Sequence, residues 1–144
     1  TKQDLGPPVE FIEQPLSPEA LPQLLKLSHR YRTPIALDES VAAFAQLESC
    51  YQKGWRGIFV IKAAIAGFPS RLRRFCQHNE IDIVWSSTLE TAIARQFILH
   101  HLIPTIPGSA RPLGFGIDHW FEPSPLNQSN PSAIWKSCDQ PHKP

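Results

Sequence analysis

Apolar residues along this chain come in short bursts. Between the bursts lie longer stretches where apolar positions recur every three or four residues. The bursts at residues 9–13, 35–38, 57–62, 81–86 and 113–118 have the length of buried strands. In the intervening stretches the period changes. Ser17-Pro18 reads as an N-cap and first turn ahead of Leu21, Leu24 and Leu25, with Pro22 set to delay the helix start. Phe44, Leu47 and Tyr51 recur at helical spacing, and Gly54 marks the stop. Leu72, Phe75 and Cys76 sit among arginines on an amphipathic stretch. Ser87 and Glu90 have capping-box spacing before Ala92, Ile93 and Phe97.

Strand and helix alternate four times and a fifth strand closes the series. That order predicts an α/β fold with a parallel sheet. The strand ends recur almost evenly: 25 residues from Glu13 to Asp38, 24 to Lys62, 24 to Ser86 and 30 to Gly116. Such a repeat of structure without repeat of sequence is that of a (β/α)8 barrel, which takes eight strands and about 250 residues. Five strands leave two readings. One is an open, doubly wound sheet. The other is the last five βα units, strands 4–8, of a barrel whose first strands lie upstream of residue 1. The lack of any methionine favours the second. Residues 1–121 form the expected barrel part. Residues 122–144 hold five of the fifteen prolines and are expected to be an irregular tail, with Trp135 able to dock it.

Composition narrows the partners. The chain has 144 residues, 42% apolar and 19% charged, enough for one domain with a core. A formal charge of +1 offers no electrostatic argument for nucleic acid or an anionic membrane. No apolar run is long enough to span a bilayer, and the polar, Pro-rich start does not read as a signal peptide. Three cysteines without C-x-x-C spacing fit a reduced, cytoplasmic protein.

Parallel α/β folds place their sites at the carboxyl ends of the strands. Those positions here are Glu13, Asp38, Lys62, Ser86 with Ser87, and Gly116 with Asp118. Period-two alternation puts Phe11 with Glu13, Ala36 with Asp38, Val60 with Lys62, and Val84 with Ser86 on matching faces. If those faces point inward, the mouth holds two carboxylates, a lysine and hydroxyls. Oxygen ligands of this kind suit Mg²⁺, which takes few protein carboxylates and keeps several waters. Blander readings stand beside this one. Glu13 before a proline can be a loop residue or a cap for the next helix. Glu39 is the alternative inward acid to Asp38. Ser87 with Glu90 reads first as a helix cap. His100 and His101 read as a surface pair near a helix end, and His119 as a rim residue.

FIEQP, ALDES, VIKAAIAG, VWSSTLETAIA and GFGIDHW, in that order, resemble the carboxyl-terminal half of an enolase-superfamily enzyme, from about residue 7 to residue 121. The I-E-Q-P and D-E-S pieces and the following I-K resemble the muconate-lactonizing-enzyme-like branch. The S-S-x-x-E stretch, Ser86 to Glu90, tilts the likeness toward o-succinylbenzoate synthases. The resemblance implies an enolase-type (β/α)7β or (β/α)8 barrel and a Mg²⁺ ion, with Mn²⁺ as a substitute. It implies Glu13 and Asp38 as metal ligands and Lys62 as the catalytic lysine that stabilises the developing enolate. Ser86 and Ser87 would contact the succinyl carboxylate, partly through backbone, and Gly116 would leave room. The implied reaction is dehydration of 2-succinyl-6-hydroxy-2,4-cyclohexadiene-1-carboxylate to 2-succinylbenzoate, a step toward menaquinone or phylloquinone.

The same resemblance implies a K-x-K base, a third acidic ligand and a capping domain, none of which this sequence contains. The isolated chain is therefore expected to be inactive, with the amino-terminal half of the barrel and the cap as its partners. Its substrate would be a small carboxylate, with no nucleic acid and no membrane involved. Two rivals remain. One is an N-acylamino acid racemase or dipeptide epimerase of the same superfamily, against which Gly116-Ile117-Asp118 offers one acid in place of D-x-D. The other is a non-catalytic half-barrel fragment.

Overall fold

The computed structural model describes residues 9–107, 111–120, 124, 127–128 and 130–138. Four strands, β1 (Ile12–Glu13), β2 (Ile35–Leu37), β3 (Ile58–Ile61) and β4 (Asp82–Trp85), form one parallel sheet in the order β1-β2-β3-β4. Each crossover carries a helix: α1 (Leu21–Arg30), α2 (Phe44–Gln52) and α3 (Pro69–His78). After β4 comes α4 (Ala92–Phe97), which continues through a π turn, Ile98–Leu102, and a 3₁₀ turn, Ile103–Thr105.

β2, β3 and β4 form because their apolar runs are buried on both faces, as parallel sheets require, whereas β1 is an exposed edge strand. Ile35, Leu37, Phe59, Ile61, Ile83 and Trp85 pack outward with Leu24, Leu47, Trp55, Leu72 and Leu102 in the main core. Ala36, Ile58, Val60 and Val84 make a second, smaller cluster on the other face, with Phe11 against it. The alternation expected from the sequence is thus the alternation between these two clusters.

Local chemistry sets the helix ends. Pro18 starts a 3₁₀ turn, Pro18–Ala20, and α1 begins only at Leu21, so Pro22 falls in the first turn, where its missing N–H is harmless. Gly54, at φ +98°, lets the chain leave α2, and Trp55 N donates back to Cys50 O at 3.0 Å. Pro69 opens α3.

Three expectations change. The fifth strand shrinks to one parallel bridge, Ser86 with Gly114, carried by Gly114 N to Trp85 O (2.8 Å) and Ser87 N to Gly114 O (3.1 Å). Pro112, Gly114 and Gly116 weaken any longer pairing there. The cap of α4 is Thr91, whose Oγ1 accepts from Ala94 N at 3.3 Å, and not Ser87. Leu89, at φ +62°, turns the chain between the Ser87–Glu90 pair and the helix. Within 122–144, the expected irregular tail, α5 spans Pro131–Cys138. Pro131 presets its first φ, and Asn130 Oδ1 accepts from Ser132 N at 3.0 Å.

Cys50 and Cys76 are buried free thiols, and burial pushes Cys76 up to about 12. That thiol is inert rather than nucleophilic. No helix among the described residues is long and apolar enough to cross a membrane.

Candidate active site at the carboxyl edge of the sheet

The strand register staggers the site residues. Glu13 pairs with Ala36, two residues short of Asp38. Leu37 pairs with Phe59, so Asp38 stands level with Val60, two residues before Lys62. Ile61 pairs with Trp85, which leaves Lys62 level with Ser86. Stagger of this kind accompanies the strand tilt of a closing barrel.

Asp38 is buried, and its Oδ1 contacts Nζ of Lys62. The Lys62 backbone is held by its own loop, since Ile65 N and Ala66 N both donate to Lys62 O at 3.0 Å. Glu13 lies close enough to feel both neighbours. Burial first, then the Asp38 charge, hold its carboxyl above the ordinary range; the Lys62 ammonium pulls the other way. Glu39 is exposed in the turn Glu39–Val41, so Asp38 is the acid that faces Lys62. Glu13, Asp38 and Lys62 thus meet at one edge, from three adjacent strands.

Gln14 holds this corner together and was not singled out by sequence reasoning. Its Oε1 accepts from Asp38 N (2.9 Å) and Ser40 N (3.2 Å). Its Nε2 donates to Ser40 Oγ (2.9 Å) and Leu16 O (2.7 Å). The signal available was a polar residue between a strand end and Pro15.

Ser86 and Ser87 follow β4 directly. Both backbone N–H groups are used, Ser86 N by Ile61 O (3.0 Å) and Ser87 N by Gly114 O. Ser87 Oγ donates to Glu90 Oε2 (2.8 Å) and accepts from Leu89 N (3.0 Å); Thr88 N also donates to Glu90 Oε2, at 2.8 Å. Ser87 therefore closes a turn with its side chain. A Cβ on Gly114 would lie 3.3 Å from Ser86 Oγ, so the close approach beside Ser86 belongs to Gly114. Around Gly116 a Cβ would meet nothing within 4 Å. His100 and His101 lie on the π turn, away from the carboxylates in sequence and sheet; His101 stacks on Phe97 at 6.0 Å.

The donor set fits a hard divalent cation in part. Two carboxylates from adjacent strands supply oxygen, as Mg²⁺ requires, with water completing the shell. Among the described residues no group of three or more His, Cys, Asp or Glu could hold a metal. Two cavities flank the sheet among the described residues. One of about 680 Å³ runs from Tyr51 and Arg56 to residues 76–82, and one of about 690 Å³ lies between α1 and α2.

At the opposite, amino-terminal edge, Arg111 spans the sheet. Its Nε and Nη2 donate to Asp82 at 2.6 and 2.7 Å, and Nη1 donates to Glu10. Its guanidinium also lies 5.9 Å from the centre of the Phe11 ring.

Comparison with known proteins agrees with this architecture. The chain is 41% identical over 137 residues to an o-succinylbenzoate synthase of Thermosynechococcus vestitus, covering 92% of this chain and 41% of that protein. It is 29% identical over 107 residues to an N-succinylamino acid racemase of Thermus thermophilus, covering 72% and 28%. The chain thus spans 41% or less of the length of the curated relatives it matches. The crystal structure of o-succinylbenzoate synthase from Thermosynechococcus elongatus BP-1, complexed with Mg in its active site, superposes with a TM-score of 0.78 at 36% identity, over 90% of this chain and 40% of that one. Its parallel sheet and helices match the carboxyl-terminal half of that enolase-type barrel. Residues 3–125 match the family described as enolase C-terminal domain-like, and the chain belongs to that family.

Proposed function

We propose that this chain supplies the carboxyl-terminal part of a Mg²⁺-dependent o-succinylbenzoate synthase. The observation that carries the reading is the meeting of Glu13, Asp38 and Lys62 at the carboxyl edge of the sheet. The likeness to an o-succinylbenzoate synthase, at 41% identity, supports it.

The reaction removes a proton and a hydroxyl from neighbouring carbons of 2-succinyl-6-hydroxy-2,4-cyclohexadiene-1-carboxylate. Water leaves, and an aromatic ring remains in 2-succinylbenzoate. Glu13 and Asp38 would hold Mg²⁺, and Mn²⁺ has the same preference for oxygen. Bound there, the ion would supply Lewis-acid neutralisation of a substrate carboxylate. Lys62 is the catalytic residue of this chain. Its ammonium, fixed beside Asp38, stabilises the negative charge that gathers on the substrate as the proton leaves. Ser86 offers its hydroxyl to the succinyl carboxylate, Ser87 keeps the turn in shape, and Gly116 leaves space. The base, a third acid and a cap over the mouth are assigned to a partner segment, the amino-terminal half of the barrel. The product would feed menaquinone or phylloquinone synthesis, in the cytoplasm.

One observation favours a second reading, the likeness to an N-succinylamino acid racemase. There Lys62 would take the α proton from one face of the substrate, with a lysine of the partner segment on the other. The test joins this chain to the amino-terminal part of the Thermosynechococcus o-succinylbenzoate synthase and assays both chemistries. Dehydration by the joined protein, abolished by Lys62→Ala, is the expected result, with no turnover by the isolated chain. Deuterium uptake into N-succinyl amino acids without dehydration selects the racemase. Turnover by the isolated chain well above background shows that the base has been misplaced.

A further inference from the structure

We infer that Gln14 is a positioning residue for the carboxylate pair, its carboxamide fixing the backbone at Asp38 and so the way Asp38 faces Lys62 and Glu13. The metal consequence of this inference rests on the cation-site reading above; the geometric one does not.

Gln14 has φ +36°, one of two non-glycine residues at positive φ among those described. A residue of this kind is held there by its surroundings and not by its own preference. Its backbone N still donates to Ala36 O at 2.8 Å, so the ladder from β1 to β2 ends on Gln14. The turn then sends the side chain sideways toward the end of β2. There the carboxamide uses both acceptor positions, on Asp38 N and Ser40 N, and both donors, on Ser40 Oγ and Leu16 O. A primary amide is the side-chain group that offers two such acceptors and two donors in one plane.

Asp38 needs this support. Its backbone sits at φ −115° and ψ −80°, outside both the strand and the helix regions. Its carbonyl accepts from Val41 N at 2.9 Å, and its N–H goes to Gln14. Ser40, the other partner, is 5% exposed, so the far end of the clamp is packed in place. With both sides of the Asp38 peptide fixed, its carboxylate is aimed at Lys62 before any ligand arrives. Glu13 precedes Gln14 directly, so one residue ties both acids to one frame.

The test uses Gln14→Met, which keeps the length of the side chain and removes all four bonds. Two readouts are followed in the wild-type chain and the variant: the ¹⁵N NMR signal of the Lys62 ammonium, and Mn²⁺ binding by titration calorimetry. A change in Tm would follow from any structural role, whereas the ammonium signal reports the Asp38 carboxylate itself. The wild-type chain is expected to show a protected Lys62 signal that Gln14→Met loses, with the Mn²⁺ Kd raised at least about tenfold, a difference of about 1.4 kcal/mol. If Gln14→Met does not fold, Ser40→Ala takes its place. It removes one of the four bonds and little volume, and the signal is expected to broaden. A Lys62 signal that persists in the folded variant, or that the wild-type chain lacks, overturns the inference. If the signal depends on Gln14 but the wild-type chain binds no Mn²⁺, the cation reading falls and the role of Gln14 stands.

Discussion

The ammonium of Lys62 rests against Oδ1 of Asp38, from the end of one strand to the end of the next. Their side chains are 21% and 10% exposed, so this pair is partly withdrawn from water and is not an ordinary surface bridge. Hydrogen bonds to charged groups contribute about 1.5–3 kcal/mol each. Asp38→Asn is expected to lower stability by about that amount, read by urea unfolding. It should also abolish Mg²⁺ and Mn²⁺ binding by the chain. Unchanged cation affinity in the variant contradicts the assignment of Asp38 as a ligand.

Glu13 gives a pH dependence. Its carboxyl is held above the ordinary value of 4.5, so the folded chain binds that proton more tightly than the unfolded one. The favourable contribution is complete below 4.5 and is lost as pH rises through the folded value. Glu13→Gln cannot ionise, so its Tm should gain on that of the parent between about pH 4 and about pH 7. The residue as a whole is exposed although its carboxyl is partly withdrawn beside Asp38, so the gain should stay within about 0.5 kcal/mol. A gap that narrows over the same range would show the sign to be wrong.

Gly57 lies where the backbone passes beneath a buried indole. A Cβ there would stand 2.7 Å from Ile35 O and 2.7 Å from Cζ2 of Trp55. Trp55 is fully buried and donates its Nε1–H to Ile58 O at 3.2 Å, so it has little freedom to retreat. Gly57→Ala should cost about 1–3 kcal/mol through overpacking. Loss of the tryptophan fluorescence transition at lower urea would check it; an unaltered midpoint would mean that the ring yields.

Arg111 joins Asp82, at the start of β4, to Glu10, just before β1. The fork on Asp82 is bidentate, the stronger geometry for such a pair. Arg111→Ala should lower stability by about 1 kcal/mol at low ionic strength and by less in salt, because Glu10 and Asp82 are about half open to solvent. Equal losses at low and high salt would assign the effect to packing on Phe11 instead.

β2, β3 and β4 were legible because a strand buried on both faces must read as a continuous apolar run. Their ends followed from where charge or hydroxyl breaks that run, which is why Asp38 and Lys62 could be placed at successive strand ends on one face, although their ion pair was not foreseen. β1 was expected to cover five residues and has two, since an edge strand with Val9 and Ile12 exposed has pairing on one side only. The segment around Gly114 looked like a strand by its apolar content, yet proline and glycine left it a single bridge. Gln14 and Arg111 were beyond sequence reasoning for a different reason. Gln14 reaches Ser40, 26 residues on, and Arg111 reaches Glu10, 101 residues back. Periodicity carries no information about partners at such separations. Ser87 misled locally: its spacing to Glu90 was right, but the turn at Leu89 put the helix start elsewhere.

The two apolar layers are unequal in kind. Trp55, Trp85, Phe59 and most of the leucines lie on the helix side, whereas the opposite cluster holds Ala36, Ile58, Val60 and Val84. The bulkier packing therefore lies on one side of the sheet, and the proposed site lies toward the other. Changes at Glu13 or Ser86 leave the helix-side packing untouched, so a lost signal there reads as altered chemistry, whereas Asp38→Asn carries a stability cost of its own.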